Sequence, residues 1–390
     1  MKKIILMYDF FSEHGGVERI MLFQAQTLRK AGYDVKFAFA YLDEKLKEER
    51  LADFEAIEYA KLIVKNETLQ ICSSILRNEA IKKFKDADLI ICHSFPASYF
   101  ALRIKKKFKI PYILHLHHPP QFLYTADLDW AKNSFKRKFS FLIGSLLGGF
   151  LKKFDFYCVK NADDYILECK TVERIIKKTY NINGFVSFPT VGKKFEIKKC
   201  SLKELSKYGI KKNYVLGSGR IVNQKRFDYL ISAFSLIKDL NLQLVLVGKY
   251  DENTKKELEE IARNKNLDIL FLGPLELNEL IKVYNLAKVT VLTCPKEWFG
   301  LVPIEAMACG CPVVAWKDNF GPQETVIDEK NGFLAKPYDT KDLADKIKMA
   351  VDKKWNKKEI RKTTFKFSEE KISKELISKI NNFLKSASGK

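Results

Sequence analysis

The stretch Glu297-Trp298-Phe299-Gly300-Leu301-Val302-Pro303-Ile304-Glu305-Ala306-Met307-Ala308-Cys309-Gly310-Cys311-Pro312-Val313-Val314-Ala315 constrains the fold of this chain more than any other. It follows Val289–Leu292, which reads as an apolar strand, and it turns at once into a short helix. Pro303 falls in the first helical turn, where a missing N–H costs nothing. Gly310 and Pro312 stop the helix before the next apolar run. A helix N-terminus therefore opens near Phe299, Gly300 and Leu301, at the C-terminal end of a parallel strand, where open α/β sheets place ligands. Unpaired backbone N–H groups and the positive end of the helix dipole make that position an anion site. Glu297 precedes the helix and Glu305 lies inside it, with seven residues between them. Alone, such a pair is also what a solvated strand-turn-helix would carry.

The flanking sequence repeats the same alternation. Residues 4–8 read as a first strand, Gly15 and Gly16 sit in the loop after it, and a helix with apolar positions Ile20, Phe23, Leu28 and Ala31 follows. Residues 35–40 form the next strand, 42–88 read as mostly charged helical material, and strands at 89–92 and 111–116 bracket a helix at 97–107. The second half opens with a strand at 214–216 and the segment Gly217-Ser218-Gly219-Arg220-Ile221-Val222-Asn223-Gln224-Lys225. A helix at 229–240 and a strand at 242–247 come next. In that segment Arg220 stands at a strand end and Lys225 near a helix start, so both can reach one crevice. Two exposed loop cations would have the same spacing. At 390 residues the chain divides most naturally into two domains. The reading is residues 1–190, a linker at 191–204, a second domain at 205–366 and a final helix at 367–390 returning to the first domain. Its apolar face carries Ile372, Leu376, Ile380, Phe383 and Leu384.

A formal net charge of +21 calls for an anionic partner: a nucleoside diphosphate, an anionic membrane face or nucleic acid. Lysine used as surface filler is the plain alternative. No RNP motif, helix-turn-helix or zinc finger is present, so no nucleic-acid partner is assigned. The eight cysteines form no C-x-x-C pair and read as reduced and mostly buried. No apolar run approaches 18 residues, so no transmembrane helix is expected. Residues 139–151 are uncharged and flanked by Lys136-Arg137-Lys138 and Lys152-Lys153. They read either as a core helix or as a segment lying in an anionic interface. Three of the five histidines fall in His115-Leu116-His117-His118. A metal site would want His at i and i+4 on a helix, or a carboxylate close by. This cluster offers neither, and no metal is assigned.

The Glu297–Ala315 stretch resembles the E-x7-E signature of glycosyltransferase family 4. Other segments are similar to that family as well. Tyr112-Ile113-Leu114-His115-Leu116-His117-His118-Pro119-Pro120-Gln121-Phe122-Leu123-Tyr124 resembles its H-x-P-P-x-F-L-Y element, and His14-Gly15-Gly16-Val17-Glu18-Arg19 its N-terminal glycine loop. The G-R-x4-K segment resembles its diphosphate clamp, and Phe320-Gly321-Pro322-Gln323-Glu324-Thr325-Val326 its G-G-x-x-E-x-V turn, with Asn319 or Phe320 departing from it. At Cys169 the family more often has Ser or Asn.

The resemblance implies a GT-B fold: α/β, two Rossmann-like domains facing across a cleft, the acceptor mainly on the first and the donor mainly on the second. It implies a retaining, metal-independent transfer of a hexose from a UDP- or GDP-linked donor to a hydroxyl of a glycan or lipid-linked acceptor. Mannosyl- and glucosyltransferases of glycan assembly are the nearest kind. It carries roles to individual residues. Arg220 and Lys225 would bind the diphosphate with the N–H groups of Phe299, Gly300 and Leu301. Glu305 would accept from the ribose, and Glu297 would hold the donor sugar. His117, or failing it His118, would sit near the reacting carbon, and Gly15 and Gly16 would let backbone approach the substrates. No cofactor is implied beyond the nucleotide-sugar substrate. The expected location is cytoplasmic, with an anionic membrane face as a candidate partner. A soluble acceptor, as in sucrose or starch-type synthesis, is the first alternative. A glycoside hydrolase using Glu297 and Glu305, or a nucleic-acid-binding protein, comes after it.

Overall fold

A computed structural model of the chain describes residues 1–11, 15–59, 80–124 and 135–388. Side-chain placement is likewise left out for residues 122, 135–147 and 388. The chain divides into two compact units, Met1–Pro189 with Glu370–Lys390, and Thr190–Glu369.

The first unit is built on seven parallel strands in the order β3-β2-β1-β4-β5-β6-β7. They are β1 (Lys3–Phe11), β2 (Asp34–Leu42), β3 (Ala56–Glu58), β4 (Leu89–His93), β5 (Tyr112–Leu116), β6 (Asp164–Leu167) and β7 (Phe185–Val186). Strands β4 and β5 are buried along their whole length. That is the signature of a parallel sheet covered on both faces by helices, and it explains their unbroken apolar composition. The second unit holds six parallel strands, β8 (Tyr214–Ser218), β9 (Gln243–Val247), β10 (Ile269–Phe271), β11 (Val289–Leu292), β12 (Val313–Trp316) and β13 (Gly332–Ala335), in the order β10-β9-β8-β11-β12-β13. Counted from its first strand, each unit contains the order 3-2-1-4-5-6 of the dinucleotide-binding fold. Each therefore has one switch point where the strand order reverses, between β1 and β4 and between β8 and β11.

Two sequence expectations change. The charged stretch after β2 contains the helix Glu44–Arg50, but then the short strand β3 and the 3-10 turn Ala80–Phe84; residues 60–79 lie outside the described residues. β3 escaped notice because three half-buried residues at a sheet edge carry too little apolar signal. The helix expected at 229–240 is Phe227–Ser235 followed by a separate 3-10 turn, Lys238–Leu240.

The last helix, Glu369–Ser388, buries Leu376, Ile380 and Leu384 in the first unit's core with Ile4, Leu6, Phe11 and Leu28. Thr27 Oγ1 and Ser373 Oγ are bonded at 3.1 Å across that contact. Cys169 caps the helix Lys170–Tyr180, its sulfur accepting from the Val172 N–H at 3.5 Å. An oxygen is the usual N-cap acceptor, which gives a physical reason for Ser or Asn at this place. None of the described cysteines is in a disulfide, and most are buried.

Asp9, in β1, is buried, and its Oδ2 accepts from the Ala97 N–H at 3.1 Å. Burial pushes its carboxyl up to about 8, against the partial help of that hydrogen bond. The folded chain then keeps a proton that the unfolded chain releases near pH 4. The associated stability is complete below pH 4 and is lost as pH rises toward 8. Asp9→Asn removes this titration. Its melting temperature is expected to fall less than that of the parent protein between pH 5 and pH 8. Parallel slopes in thermal melts would show that Asp9 ionises normally.

Candidate functional site

In the second unit, β8 ends at Ser218 and delivers Arg220 to the surface just past the switch point. The 3-10 turn Asn223–Lys225 then brings Lys225 back beside β11. The ammonium of Lys225 donates to Glu297 Oε2 in a close ion pair. Burial opposes charge on both partners. The attraction of Glu297 outweighs it for Lys225, which is held above its ordinary value. For Glu297, Lys225 outweighs burial first, and then the Cys294 thiol and Arg220 help hold the carboxyl below its usual range. The pair is thus fully ionised at neutral pH.

Three loops are tied together around this pair. Thr293 Oγ1 donates to Lys225 O at 3.0 Å, and Cys294 Sγ to Gln224 O at 3.3 Å. Trp316 Nε1 donates to Thr293 O at 2.9 Å. The Lys296 N–H donates to Asp318 Oδ2 at 2.8 Å, and the Gly321 N–H to Glu297 O at 2.9 Å.

The helix Leu301–Ala308 begins here. Gly300 is its N-cap at φ +81, a conformation that favours glycine, and Pro303 sits in the first turn as its sequence predicts. Phe299 is buried and packs edge-on against Phe367 at 5.5 Å between ring centres, which fixes the approach to the helix. Glu305 lies inside the helix and is 5% exposed. The Tyr284 hydroxyl donates to its Oε2 at 3.3 Å, and Ser218 Oγ stands 2.7 Å from that hydroxyl. A carboxylate only accepts, so the proton order runs from Ser218 through Tyr284 to Glu305. Tyr284 and Ser218 were not singled out in the sequence, because only the fold brings them to the helix. Asn319, just before this turn, takes φ +65, a region its residue type tolerates better than most, while Phe320 stands where the motif has its first glycine.

In the first unit, Gly15 is the N-cap of the helix Gly16–Lys30, with the Glu18 carboxylate folded back over it. His14 lies outside the described residues. Register places His93 of β4 opposite His115 of β5, and His117 follows two residues later. The His93, His115 and His117 side chains are all buried. His117 Nδ1 lies 3.0 Å from Glu168 Oε2, and its Nε2 lies 3.0 Å from His93 Nδ1. Gln24 Nε2 is 2.9 Å from His115 Nδ1. The His115 and His117 rings stack at 4.5 Å. Burial holds His93 and His115 well below the ordinary histidine value, so both rings are neutral. His118 is partly exposed; its Nδ1–H donates to Pro119 O at 2.9 Å, and burial lowers it too. The structure therefore groups Arg220, Lys225, Glu297, Phe299, Gly300, Leu301 and Glu305 at one switch point. His117 stands at the other, in company the sequence did not reveal: His93, Glu168 and Gln24.

Two Rossmann-like parallel-sheet halves, each with its polar groups at the switch point, define the GT-B class of glycosyltransferases. The family model described as glycosyl transferases group 1 matches residues 203–367, and the glycosyltransferase family 4 model matches residues 14–185. The chain belongs to glycosyltransferase family 4 and is a hexosyltransferase. It is 27% identical over 377 residues to an uncharacterized glycosyltransferase of Methanocaldococcus jannaschii, covering 93% of this chain and 90% of that one. Among solved structures, sucrose-phosphate synthase from Thermosynechococcus elongatus is similar in fold. Its TM-score is 0.79 at 20% identity, with 99% of this chain and 100% of that chain covered. HepE of Anabaena, solved in complex with UDP-glucose, gives 0.75 at 17% identity, covering 98% and 100%. Among the described residues no helix is long and apolar enough to cross a membrane.

Proposed function

We propose that this enzyme moves a hexose from a UDP- or GDP-linked donor to a hydroxyl of a glycan or lipid-linked acceptor, with retention at the anomeric carbon. The observation that carries the donor assignment is the charged Lys225–Glu297 pair, with Arg220 beside it, fastened next to the N-terminus of Leu301–Ala308. As the glycosidic C–O bond breaks, negative charge builds on the departing diphosphate. Lys225, Arg220 and the backbone N–H groups of Phe299, Gly300 and Leu301 stabilise that charge. Each donor of this kind contributes about 2–4 kcal/mol in a water-poor site. These cations take the place a divalent metal would otherwise hold on the diphosphate. Glu297 holds hydroxyls of the donor sugar, and Glu305, steadied by Tyr284, accepts from the ribose. Gly15 and Gly16 open the N-terminus of a second helix to the substrates. The sequence puts His117 first and His118 second near the reacting carbon; with both ring nitrogens of His117 engaged by Glu168 and His93, the partly exposed His118 takes the contact with the sugar. His117, held by Glu168, positions the loop that carries it. The HepE complex with UDP-glucose supports a UDP-linked hexose first and the likeness to sucrose-phosphate synthase keeps a soluble acceptor as the second reading.

The test is calorimetric titration with UDP, GDP, ADP and CMP in the presence of EDTA, followed by transfer assays from the matching UDP- or GDP-sugars with the product anomer read by NMR. Tight binding of one diphosphate, unaffected by EDTA, and a product of unchanged anomeric configuration are expected. An inverted product, or binding that needs a metal, would refute the mechanism. Glu297→Gln is expected to slow turnover by about 100-fold while nucleotide affinity stays within twofold of the parent protein. Lost affinity with normal transfer would remove the sugar-holding role.

An anionic membrane face is the proposed site of action on a lipid-linked acceptor. The helix Phe135–Lys160 exposes Phe150, Phe156 and Tyr157, while Asp155 and Cys158 on the same helix are buried. Lys106 Nζ donates to the Tyr157 hydroxyl at 2.8 Å, and Lys160 lies over Phe156. Aromatic rings beside lysines suit an anionic headgroup layer. Sedimentation with anionic vesicles, weakened by salt and by Phe150→Ser, is expected; equal binding to zwitterionic vesicles would contradict it.

A further inference from the structure

Among the described residues, one ring nitrogen from each of His93, His115 and His117 lies within 4.8 Å of the other two, and all three side chains are buried. Hydrogen-bond logic leaves this cluster unfinished. Glu168 can only accept, so His117 Nδ1 carries the proton and Nε2 presents a lone pair. His93 Nδ1–H donates into that lone pair. His93 Nε2 and His115 Nε2 then have no partner among the described residues, although both are buried. An unpaired polar atom in such surroundings costs about 1–3 kcal/mol, and an ion on His115 Nε2 would complete that one.

We infer that His93, His115 and His117 form a site for one divalent transition ion of the zinc type, with Glu168 and Gln24 as the outer groups that orient the rings. The His93 and His117 rings, now joined by a hydrogen bond and 18° from coplanar, must turn off that line for their lone pairs to converge on an ion. His93 carries its proton on Nε2 instead of Nδ1, which frees the lone pair of Nδ1 for the ion and leaves Nε2–H as a buried donor. The Gln24 amide turns over, so that its Oε1 accepts from His115 Nδ1–H and His115 Nε2 becomes the third ligand. No proton is gained or lost in either change. The 3.0 Å between His93 Nδ1 and His117 Nε2 is close to the ~3.3 Å edge of a tetrahedron with ligands at 2.0–2.1 Å. A carboxylate on the outer nitrogen of a ligating histidine is the usual second partner in such sites. Three neutral imidazoles suit zinc, cobalt, nickel or copper and are poor ligands for magnesium or calcium. The ion would lie at the switch point of the first unit, whereas the proposed diphosphate clamp belongs to the second. It therefore organises the His115–His118 segment and takes no part in holding the donor phosphates.

The test uses full-length protein freed of any polyhistidine tag and stripped with EDTA. Zn²⁺ is titrated against a chromophoric chelator, and Co²⁺ is followed by its visible d–d absorption. The expected result is one ion per chain, tighter than about 10 µM, with an intense tetrahedral Co²⁺ spectrum and a raised melting temperature. His93→Ala and His115→Gln are expected to lose the spectrum. Glu168→Gln should fold normally and bind about 10- to 100-fold more weakly, which keeps the test decisive if the buried variants fail to fold. No stoichiometric binding, an octahedral spectrum of the kind surface carboxylates give, or an affinity unchanged in Glu168→Gln would overturn the site. UDP titration of the same stripped protein is a separate readout, since the clamp in the second unit does not depend on this ion.

Discussion

Lys225→Met is expected to weaken binding of the preferred nucleoside diphosphate by about 30- to 1000-fold, the equivalent of losing one charge-assisted donor worth about 2–4 kcal/mol. Methionine keeps the length and much of the apolar stem of lysine, so the loss reports the ammonium. The same change removes the partner of Glu297, whose side chain is only 18% exposed. In the parent protein the Glu297 carboxyl sits below its ordinary value, so the pair contributes stability at neutral pH that is lost as pH falls through the folded value. In Lys225→Met burial acts on Glu297 with only Arg220 and the Cys294 thiol to oppose it, and the sign reverses: the folded chain prefers the protonated acid, and stability falls as pH rises. The expected cost at neutral pH is about 1–3 kcal/mol, less than for a fully buried pair because both side chains keep some contact with water. The double variant Lys225→Met with Glu297→Gln separates the two effects. It is expected to recover most of the stability in a chemical denaturation curve and none of the nucleotide affinity. Affinity unchanged in the folded single variant would remove Lys225 from the donor site.

What could be read in the sequence was whatever the chain keeps local. The Glu297–Ala315 stretch sets its own strand end, helix start and helix stop within nineteen consecutive residues, and the helix Leu301–Ala308 begins where Gly300 and Pro303 require. The alternation of strands and helices, and so the two Rossmann-like halves, was legible for the same reason. The apolar face of the last helix was legible through its spacing, and Ile372, Leu376, Ile380 and Leu384 are all buried. What could not be read depends on strand order. Lys225 and Glu297 are 72 positions apart and meet only because β8 and β11 are neighbours. Glu168 is 51 positions from His117, and His93 is 24 away, so the carboxylate that the histidine cluster lacked in sequence comes from the end of β6. Tyr284 reaches Glu305 from the helix preceding β11. A linear reading names Lys225 and Glu297 apart and sees only one partner of the other pairs; it cannot see the register that joins them.

Gly321→Ala should cost activity out of proportion to its size. The backbone of Gly321 is in the ordinary helical region, at φ −47, so a side chain is not excluded by conformation. It is excluded by proximity: an added Cβ would lie 2.3 Å from Phe299 Cα and from Trp298 O, and 2.6 Å from Phe299 N. These are backbone atoms, which cannot rotate aside as a side-chain end can. The loop Trp298–Phe299 must shift, and with it Glu297, whose carbonyl accepts from the Gly321 N–H, and the helix start at Gly300. A displacement near 1 Å of groups that position a reacting bond costs about 100-fold in rate. The expected result is therefore a fall in kcat/KM of about that size, with the protein still folded. Gly149→Ala is the matched control. Gly149 lies in the helix Phe135–Lys160 and, among the described residues, no atom outside its own helix backbone lies within 4 Å of an added Cβ; alanine is the better helix former, so activity should be unchanged and the melting temperature slightly raised. Wild-type kcat/KM in Gly321→Ala would mean that the Trp298–Phe299 backbone can move without consequence, and that the N–H groups of Phe299, Gly300 and Leu301 do not hold the departing phosphate.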